Sequence, residues 1–135
     1  MKKRLIASVL LSSLIITGCG DKEDATEGVQ KVAIVQGMKT ISLFKTQLAT
    51  YYTEHQKCNS NAISSGDRAL TKIHYVQDVI SNDQCQVVLT FKNDPTIPDL
   101  SGKQIILTLL PTNHTHNWQC TSTVTRKDLL PNDCI

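Results

Sequence analysis

From Val29 to about Lys57 the chain contains no proline, and Ile34, Met38, Ile41, Leu48 and Tyr52 recur at intervals of three, four and seven residues. Apolar residues at that spacing fall on one face of an α-helix, so the stretch predicts one amphipathic helix of about 28 residues, against the three or four turns common in small domains. Val32, Val35, Phe44 and Tyr51 widen the apolar face, as expected of a helix lying across a sheet. Such a stripe is read as core rather than as a partner-binding helix. A chain of 135 residues, 40% hydrophobic and 19% charged, has room for one domain with one modest core.

The periodicity then changes. Asn59–Arg68, NSNAISSGDR, is rich in Asn, Ser and Gly and predicts a loop. TKIHYVQDVI and QCQVVLTFK follow, rich in β-branched and aromatic residues and separated by SNDQ, which is a hairpin pattern. In the second of these, Cys85, Val87, Leu89 and Phe91 fall on one face by the period of two. QIILTLL comes after the proline-containing loop NDPTIPDLSGK, and NWQCTSTVT comes after PTNHTHN, with Trp118, Cys120, Ser122 and Val124 sharing a face. The expected fold class is α+β: one long helix packed on an antiparallel sheet of about four strands, without internal repeats.

The start of the chain predicts export. Lys2, Lys3 and Arg4 precede an apolar run from Leu5 to Ile16, too short to span a bilayer but suited to the core of a signal peptide. Ile16-Thr17-Gly18-Cys19 resembles the bacterial lipobox, in which the cysteine is acylated and becomes the first mature residue. Residues 1–18 are then a removed signal, 19–28 a polar lipidated tether and 29–135 the globular domain. The covalent lipid on Cys19 would hold the domain at the membrane, since each buried methylene contributes about 0.8 kcal/mol. Gly20 follows Cys19, and Asp21 comes one position late for the usual inner-membrane retention rule. The expected location is the cell envelope, the outer membrane before the inner, facing the periplasm or the exterior.

Processing also removes the apparent basicity. Taking Lys2, Lys3 and Arg4 from the 14 basic residues leaves 11 against 12 acidic ones, so no global footprint for nucleic acid remains. Of the five cysteines, Cys58, Cys85, Cys120 and Cys134 are left after Cys19 is assigned to lipid, an even number in an oxidising setting. Three pairings are open to them. The element order favours Cys58 with Cys85 and Cys120 with Cys134, rings worth about 3 to 4 kcal/mol each in the chain-entropy model.

No CxxC pair suggests a zinc site. His114 and His116 stand one residue apart in a polar turn region and are read as solvent-exposed, and His55 and His74 have no evident partner. There is no nucleophile elbow, phosphate loop, HExxH or paired-carboxylate signature. The sequence therefore names no catalytic residue, no metal, no cofactor beyond the lipid and no small-molecule substrate.

The order of elements, the segment LSGKQIILTLLP and above all the ending WQCTSTV…LLPNDC resemble the globular part of a type IV pilin, closest to the class found in Pseudomonas and Acinetobacter. The matching positions are Trp118, Cys120, Leu130, Pro131 and Cys134. The resemblance implies a C-terminal loop bounded by a Cys120–Cys134 disulfide. The departure lies at the other end, where a pilin carries a leader cut before a GFTLIE-like apolar helix; here the apolar run precedes Cys19. The expectation is a tethered pilin-like lipoprotein rather than a polymerising major subunit, contacting pilus subunits or assembly proteins. The alternative is an adhesin-type module whose loop, with Arg126, Lys127 and Asp128 at its tip, meets a host surface, a glycan or DNA.

Overall fold

A computed structural model describes residues 22–111 and 116–135. One helix, α1, runs Lys22–His55 over 34 residues. It begins well before Val29, so the segment expected to be a polar tether is helical from Lys22. Polarity does not oppose helix formation when the residues pair along the helix surface: Lys31 and Glu27, four apart, form an ion pair. The helix ends two residues earlier than the spacing suggested, because Gln56 takes φ 52° and turns the chain out of the helix.

The buried face of α1 carries Ile34, Ile41, Phe44 and Leu48, all at most 4% exposed. Val32 and Val35 do not widen it. They are 52% and 53% exposed, together with Leu43 at 57%. At 100° per residue, Val32 and Leu43 lie roughly 160–180° around the helix from Ile34, and Val35 about 100° away. The apolar composition of the segment concealed two faces, only one of which meets the sheet.

Four antiparallel strands follow in the order β1-β2-β3-β4, a meander of nearest neighbours: β1 Val76–Ser81, β2 Gln86–Phe91, β3 Gln104–Pro111 and β4 His116–Ser122. Strand β1 is shorter than the TKIHYVQDVI pattern predicted. Only Thr71 of that pattern lies in a 3-10 turn, Ala69–Thr71, residues 72–75 form a turn rather than strand, and the register slips between Val76 and Asp78. Likewise the presumed loop at 59–68 contains a one-turn helix, α2, at Ser65–Arg68, capped by the Ser64 side chain, which accepts from the Asp67 N–H.

Cross-strand rows set the core. Val79, Leu89, Ile105 and Ser122 align across the sheet, and Val87, Leu107 and Cys120 form the next row. Val87, Leu89, Phe91 and Ile105 are fully buried under α1. Cys85 is not on this strand face: it sits in the β1–β2 turn with φ 56°, and β2 starts only at Gln86. At Gly37 the helix lies close on the sheet: a Cβ there would be 3.0 Å from the Phe91 ring and 3.6 Å from Leu89. A side chain there would sit tighter than ordinary contact, and the Phe91 ring would have to give by a few tenths of an ångström. The 92–103 loop adds Ile97 and Leu100, both fully buried, so it closes one end of the core.

The four cysteines form two disulfides. Cys58, just beyond the end of α1, bonds Cys85 in the β1–β2 turn, and Cys120 on β4 bonds Cys134, with Cα–Cα separations of 5.0 and 4.5 Å.

Candidate functional site

The C-terminal loop is built downward from β4. The Thr123 N–H donates to the Gln104 carbonyl at 3.0 Å, and the Ser122 hydroxyl donates to the same carbonyl at 2.7 Å, so the strand is held to its last residue. Val124 then enters the core, fully buried. A 3-10 turn at Lys127–Leu129 inserts Leu129, and Leu130 follows it inward, at 5% and 6% exposure. Pro131 cannot continue that turn, and its carbonyl accepts from the Cys134 N–H at 2.9 Å to start a second one. Cys134, 1% exposed, then meets Cys120. The loop is therefore anchored by apolar side chains as well as by the disulfide.

Its tip is internally committed. The Arg126 guanidinium forms a two-pronged contact with the Asp128 carboxylate, through Nε at 3.1 Å to Oδ1 and through a terminal nitrogen to Oδ2. It also lies 3.5 Å from Asp99 and 4.0 Å from Glu27. Asp99 accepts from the Gln30 side-chain amide at 2.9 Å, and its N–H donates to the Gln30 side-chain oxygen at 2.8 Å. Gln30 is 1% exposed, a buried amide satisfied on both sides. Arg126 thus joins the C-terminal loop, the β2–β3 loop and the first turns of α1. Lys127 is exposed. The sequence pointed to Arg126, Lys127 and Asp128 as neighbours in a loop, but not to Glu27, Gln30 or Asp99. They lie far away in the chain, and no local spacing brings them together.

The hydrogen bonds from Arg126 hold the Asp128 carboxyl below the ordinary carboxylate range, and the same contact raises the affinity of Arg126 for its proton. A carboxyl with a lowered folded-state value adds stability above the ordinary carboxylate pKa and loses it as pH falls through the folded value. Arg126→Ala should therefore lower the melting temperature slightly at neutral pH, and the difference from wild type should shrink in acid. Thermal melts of both proteins across pH 7 to 3 check this; a difference that stays constant across the range would contradict it. Asp94 is likewise held low, by the Thr96 hydroxyl and backbone N–H, so acid weakens the adjoining loop as well.

Trp118 is half-buried on β4 with the Lys45 ammonium 5.4 Å above its ring centre. A cleft of about 620 Å³ opens between α1 and the loop, lined by Met38, Ser42, Lys45, Trp118, Pro131 and Asp133. His116 is exposed at the start of β4, its Nε2 3.4 Å from the Thr53 hydroxyl and its ring edge-on to Tyr52. His114 and Cys19 lie outside the described residues. His55 stacks on Tyr51, and His74 packs edge-on against Tyr75, so both have aromatic partners that the sequence did not disclose. Among the described residues no three His, Cys, Asp or Glu side chains converge as a metal site would require.

A long helix laid across a four-stranded meander, closed by a Trp-x-Cys strand and a Leu-Pro-x-x-Cys loop, agrees with a comparison against protein families. The family model for pilins, the proteins of bacterial filaments, matches residues 31–135. The chain belongs to the pilin family. No curated protein matches it. Membership gives this pilin a pilus-related role, interaction with pilus components in general and association with the cell envelope or surface. No helix among its described residues is long and apolar enough to cross a membrane.

Proposed function

We propose that this pilin-family chain is a lipid-anchored accessory of the type IV pilus. It acts by protein contact with pilus subunits or their assembly machinery, and it does not polymerise as a major subunit. The observation that carries the proposal is the pairing of a pilin-family domain over residues 31–135 with a lipobox-like Cys19 behind an apolar export segment. Acyl chains replace the apolar stalk that lets a major pilin bury its helix among others in a filament. The outer membrane is the expected location, because Gly20 and not aspartate follows Cys19.

The adhesin-type alternative has less support: Arg126 and Asp128, which would have supplied its contacts, are paired with one another and with Asp99 and Glu27. Growth with labelled palmitate should place label on the wild-type chain. Cys19→Ser should remove all of it and move the protein from the membrane fraction to the soluble one. Unlabelled wild type would refute the anchor. Crosslinking in a piliated host should recover pilus subunits or assembly proteins with the wild-type chain. A deletion strain with unaltered pili and twitching would refute the accessory role.

A further inference from the structure

We infer that β4 pairs edge to edge with β4 of a second copy of this chain, antiparallel about a twofold axis at Gln119, so that two four-stranded sheets join into one. The sheet carries this inference, which does not depend on the lipid anchor.

The two edges of the sheet are not alike. Along β1 the register slips between Val76 and Asp78, and Asp78 puts an exposed charge on the strand. The loop after α1 lies alongside it, with the Ser81 hydroxyl donating to the Asn59 carbonyl at 2.8 Å. A slipped register and an edge charge are devices that keep a sheet edge from pairing with another chain. β4, HNWQCTS, has neither: it contains no Lys, Arg, Asp, Glu or Pro, and its register with β3 is unbroken from His116 to Ser122.

Hydrogen-bond direction leaves the backbone of β4 free on its outer side. The Thr123 N–H donates to the Gln104 carbonyl on β3 at 3.0 Å. Backbone groups alternate sides along a strand, so Thr121, Gln119 and Asn117 also turn theirs toward β3, opposite Ile106, Thr108 and Leu110. Trp118 and Cys120 therefore point N–H and C=O away from the sheet, and among the described residues nothing bonds them. The closing 3-10 turn does not take the place. Cys134 joins the side chain of Cys120, which stands in the row of Val87 and Leu107 facing α1, so that turn covers the face of the strand and not its edge.

A second copy fits this edge because the strand complements itself. A twofold axis at Gln119 overlaps all seven residues of β4 and sets Trp118 against Cys120, Asn117 against Thr121 and Gln119 against its own copy. Trp118 of each chain then exchanges both backbone bonds with Cys120 of the other. Identical strands usually bring like charges together, and β4 has no Lys, Arg, Asp or Glu to repel. The exposed side chains of Asn117, Gln119 and Thr121 form a polar ladder on the outer face. On the helix side, the half-buried Trp118, with Lys45 over its ring, meets the second copy's half-buried Cys120. Because β1 is protected, the pairing uses the one open edge and closes at two copies. A strand pair this short buries less than about 1,200 Å² in total, the range of transient complexes, so association rises steeply with concentration.

Cysteine crosslinking tests the pairing and its register. The full chain is purified in mild detergent with one cysteine added per variant, and peptide mass mapping confirms both native disulfides. Brief copper–phenanthroline oxidation is read on non-reducing gels. Gln119→Cys should dimerise, because position 119 opposes itself in a non-hydrogen-bonded pair with Cα atoms about 4.5 Å apart. Asn117→Cys and Thr121→Cys should each crosslink poorly alone, since each lies about 13 Å along the strands from its own copy, and severalfold better when mixed. Gln77→Cys, exposed on β1, should give only the background of chance collision. Adding Gln119→Lys to both members of the mixture sets two ammonium groups together at the twofold and should cut its yield severalfold. Equal yields from all positions overturn the inference. So does a yield from Gln119→Cys no higher than from Gln77→Cys, which would leave the β4 edge to a strand of another protein.

Discussion

Phe91→Ala should lower the free energy of unfolding by about 3–5 kcal/mol, the range for removing a large aromatic side chain from a packed core. Phe91 is fully buried at the end of β2, and the edge of its ring lies 3.0 Å from where a Cβ on Gly37 would be. The absence of a side chain at position 37 and the presence of a ring at position 91 are one fit: the helix descends onto the ring. Removing the ring leaves a void that Gly37 has no side chain to fill, and α1 is held at both ends, by Gln30 on Asp99 and by the Cys58–Cys85 bond beyond His55. The site therefore collapses poorly, which places the cost high in the range. Urea denaturation followed by circular dichroism measures it. Thr90→Ala, at a half-buried position outside the hydrophobic core, is the control and should cost well under half as much. A loss below about 1 kcal/mol for Phe91→Ala would mean that the helix does not depend on this contact.

The second large effect is expected from the double substitution Cys58→Ala/Cys85→Ala. The bond joins residues 27 apart, and in the chain-entropy model its removal costs about 3.5 kcal/mol; the Cys120–Cys134 bond, across 14 residues, costs about 3. Entropy is not the whole difference. The first bond ties the end of the long helix to the turn between the first two strands, with Ser81 hydrogen-bonded to the Asn59 carbonyl at 2.8 Å beside it. The second ties down a loop that already buries Leu129 and Leu130. The helix end should accordingly fray in the first double variant, with faster amide exchange over residues 48–55 and little change around Leu130. Uniform exchange across both regions would show that the bond acts only on the unfolded chain.

The long helix, the four strands and their antiparallel order follow directly from apolar spacing, because that spacing records which side chains face the core. Where the spacing was ambiguous the structure departed from it. Val32 and Val35 looked like core by composition yet face outward, since position around the helix decides burial and hydrophobicity alone does not. Residues 22–28 contain no large apolar side chain, so no periodicity could announce their helix; it is visible only through pairs such as Glu27 with Lys31. The first strand loses residues 71–75, Thr71 to the end of a 3-10 turn and the rest to the turn that follows it. The C-terminal loop was legible as a motif, but its tip was not. Arg126 looked free because the carboxylates that surround it come from positions 27, 99 and 128.

The two disulfides join cysteines that are consecutive in the described chain, and their rings do not overlap. Each bond therefore constrains its own stretch of the unfolded chain, and in the chain-entropy model the two contributions to stability add without sharing a loop.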